Sequence, residues 1–215
     1  MSVSDLSSLL AGTPMVPVLV IDSLATAIPL ARALVAGGLP ILEITLRTRA
    51  ALDVIRAIGE EVESAVVGAG TVLAPGQLEQ VAKVGARFAV SPGATEMLLD
   101  AAQDSPVPLL PGAATASEVM HLLERGHRFM KFFPAEPGGG VGYLQALASP
   151  LPEARFCPTG GIDAERARTY LSLSNVVCVG GSWVAPGDAV RNGDWARIRA
   201  LAAEAAALRR TSAKS

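Results

Sequence analysis

The chain reads as an α/β protein, one (β/α)8 TIM barrel spanning residues 1–215 with a short extra helix at its N-terminus. Three observations point there. Short apolar runs recur with their starts about 20 to 25 residues apart, each followed by a turn and a helix-like stretch. Ala, Val and Leu dominate a composition that is 50% apolar but only 4% aromatic, which suits parallel strands buried on both faces. No long linker, charge block or low-complexity segment divides the 215 residues, so one core organises them.

The strand-like runs, in order, are Pro17–Ile21, Ile41–Leu46, Ser64–Gly68, Phe88–Ser91, Pro108–Pro111, Phe129–Phe133, Arg155–Pro158 and Val176–Val179. The first helical stretches are Leu24–Ala36, Ala50–Ile58, Gly76–Val84 and Ala94–Ala102, and Gly37-Gly38, Gly59 and Gly85 are expected to stop the first three. Ser117–Glu124 then ends before Gly126, Val141–Ala148 before Pro150, Ala164–Leu171 follows an Asp163 N-cap, and Asp194–Leu208 closes the series. Val3–Leu10 is expected to form the extra helix under the barrel, and Thr211–Ser215 a frayed tail. An open doubly wound sheet is the structural rival. Against it, no Gly-x-Gly-x-x-Gly follows the first strand.

Charge and composition exclude several functions. A net charge of -2 leaves no basic stripe for a phosphodiester backbone, so nucleic acid is not expected as a partner. Met1–Gly12 lacks the basic and apolar regions of a signal peptide, and no apolar run approaches the roughly 18 residues of a membrane span. The expected setting is the cytoplasm, with no membrane association. Cys157 and Cys178 sit inside strand runs, where a reduced thiol behaves as a small hydrophobe. His121 and His127 have no Asp or Cys at metal-ligand spacing, so a metal is not expected.

Chemistry in such a barrel is built at the C-terminal ends of the strands, where charged residues stand out. Lys131 lies in the middle of the apolar run Arg128-Phe129-Met130-Lys131-Phe132-Phe133-Pro134, whereas Lys83 near a helix end and Lys214 in the tail can stay solvated. An ammonium taken out of water loses hydration, which favours the neutral amine that attacks a carbonyl. Glu43 shares a strand face with Thr45, and a barrel-interior carboxylate needs a partner, for which Lys131 is the obvious choice. The bland alternatives are a snorkelling lysine, a structural Glu-Lys pair, or a Glu43-Arg47 contact at the rim. Arg47, at the end of its strand, offers a planar fork for a substrate carboxylate, or is a surface arginine without a specific contact.

The last two strands end in Thr159-Gly160-Gly161 and Gly180-Gly181-Ser182. One glycine pair marks many ordinary turns. Two pairs on neighbouring strands seven and eight, with Thr159 and Ser182 as hydroxyl donors, form a more specific constellation for phosphate. Gly68-Ala69-Gly70-Thr71, Ser91-Pro92-Gly93 and Pro111-Gly112 shape a pocket lip or are turn residues, the turn being the better reading of Pro111 and Gly112.

These segments resemble the class I 2-keto-3-deoxy-6-phosphogluconate (KDPG) aldolases, which often also act on 4-hydroxy-2-oxoglutarate (KHG). The resemblance runs nearly full length and is carried by Leu42-Glu43-Ile44-Thr45-Leu46-Arg47-Thr48, Val67-Gly68-Ala69-Gly70-Thr71-Val72-Leu73, Phe88-Ala89-Val90-Ser91-Pro92-Gly93, Lys131-Phe132-Phe133-Pro134-Ala135-Glu136, Arg155-Phe156-Cys157-Pro158-Thr159-Gly160-Gly161-Ile162 and Gly180-Gly181-Ser182-Trp183. It implies that Lys131 forms an imine with the substrate keto group, Glu43 moves protons, and Arg47 with Thr71 holds the pyruvyl carboxylate. It further implies that Pro92 and Phe133 wall the pyruvyl pocket, that Thr159 contacts the polar chain, and that Ser182 with the glycine pairs holds the phosphate. The implied partners are a phosphorylated keto acid and pyruvate, no external cofactor is implied, and the implied assembly is a homotrimer. Three rivals stay open: an aldolase for the galactonate epimer, a sugar-phosphate isomerase or epimerase using Glu43 as base without a covalent step, and a non-catalytic phosphate-binding barrel.

Overall fold

A computed structural model describes Leu6, Leu9, Leu10 and residues 12–208. Most of the helix expected over Val3–Leu10, and all of the tail at Thr211–Ser215, fall outside the described residues.

Parallel strands alternate with helices as β1 (Met15–Leu19), α1 (Leu24–Ala36), β2 (Ile41–Thr45), α2 (Ala51–Glu61), β3 (Val66–Gly70), α3 (Pro75–Lys83), β4 (Ala89–Val90), α4 (Glu96–Gln103) and β5 (Leu109–Leu110). They continue as β6 (Gly112–Ala113), α5 (Ala116–Glu124), β7 (Phe129–Phe132), α6 (Gly140–Leu147), β8 (Arg155–Pro158), α7 (Ala164–Leu171), β9 (Val179–Gly181), α8 (Gly187–Asn192) and α9 (Trp195–Ala206). The ladders run β5-β4-β3-β2-β1-β9 and β6-β7-β8. Single parallel bridges, Phe156 to Val176 and Thr159 to Gly180, tie β8 to the segment that becomes β9. The result is an α/β fold on a curled parallel sheet.

Where expected and observed elements differ, the causes are local. The run Pro108–Pro111 forms β5, and a further short strand, β6, follows it across Pro111, which has no N–H to give a ladder, although its carbonyl still accepts from the Lys131 N–H at 2.8 Å. Helix α2 continues through Gly59 to Glu61, because a glycine in a helix interior costs only about 1 kcal/mol and does not by itself end it. Strand β3 lies two residues later than expected, and α8, only six residues long, is too short to show a helical period. The Asp163 N-cap forms as expected, with its carboxylate accepting from the Arg166 N–H at 2.9 Å.

Two-residue periodicity sorts the strand side chains into two cores. Leu42, Ile44, Ala89, Leu109, Met130, Phe132 and Phe156 belong to the larger core, packed with the helices. Val16, Ile41, Phe88, Val90, Leu110, Phe129, Cys157 and Cys178 form a second, smaller core with Leu6 and Leu10. On β2 and β7, the second-core residues Ile41 and Phe129 are each followed two positions later, on the same face, by Glu43 and Lys131. The inner face of the sheet is therefore hydrocarbon at the strand starts and charged nearer the strand ends.

Candidate active site

Lys131 Nζ donates to Glu43 Oε1 at 3.2 Å, with side-chain exposures of only 7% and 5%. Strand pairing brings them there: Glu43 on β2 is reached across β3, β4 and the β5–β6 break, while Lys131 is held in register with Gly112 on one side and Cys157 on the other. The lysine nitrogen also sits 5.4 Å from the centre of the Phe133 ring, close enough for the ring face to attract it when charged. Residue 70 has to be glycine for this pair to form. A Cβ there would lie 2.1 Å from Glu43 Oε1 and 2.7 Å from its Cγ.

Above the pair, Arg47 Nε donates to Thr71 Oγ1 at 3.2 Å. Thr71 has φ of 60°, the left-handed region, which a β-branched residue occupies only under local strain. That conformation directs its hydroxyl at the guanidinium. Pro92 packs against Gly112, where a Cβ would come within 2.3 Å of the proline carbonyl group, and Gly112 is the register partner of Lys131.

A cavity of about 190 Å³ opens at the strand ends and brings together Arg47, Phe133, Thr159, Gly160, Gly161, Gly181 and Ser182, with Val18, Val20 and Ile162 as its apolar wall. Gly160 and Gly161 have φ of 107° and 81°, so their turn requires glycine and leaves backbone free of side chains at the cavity wall. Gly180 lies beneath Thr159, since a Cβ at residue 180 would be 2.3 Å from Thr159 Oγ1. Thr159 itself is 6% exposed, and its hydroxyl has only a long 3.5 Å contact to the Cys157 carbonyl, so it retains capacity for a ligand hydroxyl. A larger cavity of about 400 Å³ lies between α2 and α3, lined by solvated charges of both signs such as Arg56, Glu60, Glu63, Lys83 and Arg87. Size does not select the site. The buried amine-carboxylate pair does, because among the described residues it sets an amine shielded from water against a carboxylate.

Comparison with known proteins fits this geometry. The family model for KDPG and KHG aldolase matches residues 6–201. The chain belongs to the KDPG and KHG aldolase family. As an aldolase it is a carbon-carbon lyase. The KHG/KDPG aldolase of Escherichia coli K12 is 54% identical to it over 198 residues, covering 92% of this chain and 93% of that one. The 2-keto-3-deoxy-6-phosphogluconate aldolase structure from Zymomonas mobilis ZM4, solved with 3-phosphoglycerate, superposes with a TM-score of 0.92 at 47% identity, covering 99% and 100% of the two chains. The KDPG aldolase of Legionella pneumophila, with pyruvate captured as a covalent carbinolamine intermediate, gives a TM-score of 0.91 at 45% identity over 94% and 98%.

The structure of this aldolase also brings in residues that the sequence reading had not assigned to the site. Gly70 is legible in the sequence only as a small residue of the pocket lip, not as the space for Glu43, and Val18 and Val20 only as part of the first strand run; both valines line the cavity. The alternation along β1 places them on one face, but nothing in the sequence says which face looks into the cavity. No helix among the described residues is long and apolar enough to cross a membrane, and no group of three or more metal-ligating side chains occurs among them.

Proposed function

We propose that this aldolase cleaves 2-keto-3-deoxy-6-phosphogluconate into pyruvate and glyceraldehyde 3-phosphate, with Lys131 as the imine-forming residue. The observation that carries the reading is the contact of two nearly unexposed side chains, Lys131 Nζ and Glu43 Oε1, at 3.2 Å beside Phe133, whose ring also lines the glycine-walled cavity.

The Lys131 amine attacks the C2 carbonyl to give a carbinolamine, and Glu43 delivers a proton to the departing hydroxyl, which leaves as water. The protonated imine is then an electron sink. Loss of the C4 hydroxyl proton breaks the C3–C4 bond, its electron pair flows into the imine as an enamine, and the aldehyde departs. Protonation at C3 and attack of water on the imine release pyruvate and regenerate the amine, with Glu43 again the proton carrier. Arg47, steadied by Thr71, is assigned to the pyruvyl carboxylate, whose charge its planar fork matches. Pro92 and Phe133 are assigned to the walls of the pyruvyl pocket. Gly160, Gly161, Gly180, Gly181 and Ser182 are assigned to the distal phosphate, through backbone N–H groups and one hydroxyl.

4-Hydroxy-2-oxoglutarate presents the same pyruvyl half, so it is a second substrate in this reading. The hydroxyl of Thr159 supports the gluconate epimer over the galactonate one, and relative cleavage rates on the two epimers test that choice. The finer architecture proposed is a closed (β/α)8 barrel: the two β8 bridges close one side, and β5 and β6 continue one another across Pro111. A homotrimer in the cytoplasm completes the reading, and sedimentation checks the assembly.

Incubation with pyruvate and borohydride, followed by mass mapping of the peptides, is the test. Label at Lys131, together with loss of cleavage in a folded Lys131→Ala protein, is expected. No pyruvate-dependent label anywhere would favour the non-covalent isomerase instead.

A further inference from the structure

Glu136 has no part in the chemistry above, yet it sits at a junction. It follows β7, five residues after Lys131, and its N–H donates to the Gly160 carbonyl at 3.0 Å, while the N–H of Ala135 donates to the Thr159 carbonyl at 2.8 Å. Its stem supports the glycine turn from behind, since a Cβ at Gly161 would lie 2.8 Å from Glu136 Cβ and 2.9 Å from Cγ. Both of its carboxylate oxygens are engaged by α7, the helix that begins after that turn. The Tyr170 hydroxyl donates to Oε1 at 2.5 Å, and Arg166 Nε lies 3.1 Å from Oε2. Arg166 is fixed in turn by Asp163, the N-cap of the same helix, at 2.6 Å. Tyr170 is fully buried, and burial first, then its bond to Glu136, pushes the phenol's pKa well up, so it stays a donor.

The Gly160–Gly161 turn is thus held between two parts of the chain that one carboxylate joins. Left-handed glycines have wide conformational freedom, and a turn made of them keeps a fixed shape only if its surroundings impose one. We propose that Glu136 is a positioning residue that fixes this turn for the substrate phosphate, and so sets the preference of the site for phosphorylated ligands. The inference rests on the assignment of the turn to phosphate made above.

The test measures competitive inhibition of KDPG cleavage by 3-phosphoglycerate and by glycerate, in wild type and variants. In wild type the phosphorylated inhibitor is expected to bind more than about tenfold tighter. Glu136→Ala is expected to reduce that preference about tenfold and raise KM for KDPG by a similar factor, with kcat falling less than about twofold. Glu136→Gln, which keeps an acceptor for Tyr170 but loses the charge facing Arg166, should fall between the two. Tyr170→Phe, which keeps the ring in the core, is expected to lose about threefold and serves if Glu136→Ala does not fold. A wild-type preference left intact in Tyr170→Phe and in the Glu136 variants overturns the positioning role while sparing the phosphate assignment. Absence of any preference in wild type overturns the phosphate assignment, and this inference with it.

Discussion

Gly70→Ala replaces one hydrogen by a methyl group, and the structure says where that methyl goes. Its carbon would stand 2.1 Å from Glu43 Oε1, 2.7 Å from Cγ and 2.8 Å from Cδ, whereas ordinary contact begins near 3.4 Å. The carboxylate has to move by about 1.3 Å, and at 4% exposure Glu43 has little open space to move into. Strand β3 carries residue 70 in register with Thr45, so backbone relief would disturb β2 itself. A proton carrier misplaced by about 1 Å costs on the order of 100-fold in rate, equivalent to about 2.7 kcal/mol of transition-state stabilisation. Overpacking adds about 1 to 3 kcal/mol of lost stability, which thermal unfolding reads separately. Pyruvate release followed through lactate dehydrogenase and NADH gives kcat/KM, and borohydride trapping reports the imine. The expected variant is folded, still traps pyruvate at Lys131, and cleaves KDPG about 100-fold more slowly. A folded Gly70→Ala enzyme within threefold of wild type would refute the argument.

Three further outcomes are expected. Glu43→Gln removes the proposed proton carrier but not the amine, so the borohydride adduct is expected still to form, slowly, while kcat falls by about 10² to 10⁴; rapid-quench trapping against steady-state turnover separates the two steps. Thr71→Gly relieves the left-handed strain but deletes the hydroxyl that steadies Arg47, so thermal denaturation should show a gain of about 1 kcal/mol while KM rises; a less stable variant would contradict the strain reading. Burial, and secondarily the Arg125 charge, holds the His127 imidazole below its ordinary value of 6.5. The folded protein therefore binds that proton less readily than the unfolded chain, so its contribution is complete above pH 6.5 and is lost as pH falls through the lower folded value. In melting curves from pH 7.5 to 5, His127→Gln should lose less stability on acidification than wild type.

Much of the proposed site was legible because its charged residues break local rules. A lysine between Met130 and Phe132, and a glutamate between Leu42 and Ile44, contradict the apolar pattern of buried strands, and the fold brings these two exceptions together at 3.2 Å. The paired glycines were legible for the same reason, since consecutive glycines after a strand mark backbone no side chain could accommodate. What was not legible depends on distance in sequence. The opposition of Gly70 and Glu43 needs the register of β2 against β3, and the support that Glu136 receives from Tyr170 spans 34 residues. The break at Pro111 was misread for a different reason: a proline at a strand end and one between two strand halves look alike until the neighbouring ladder is known.

The hydrocarbon at the strand starts bears on traffic as well as on packing. Leu6, Leu10, Phe88, Phe129 and the two cysteines form one hydrocarbon cluster, and Phe129 stands two positions before Lys131 on the same strand face. In the reading proposed above, keto acid, departing aldehyde and the water that ends the cycle enter and leave at the strand ends, where the cavity opens. In that reading the aldehyde half, while it fills the cavity, stands between water and the covalent species, so a hydrocarbon floor helps to impose the order of events above it.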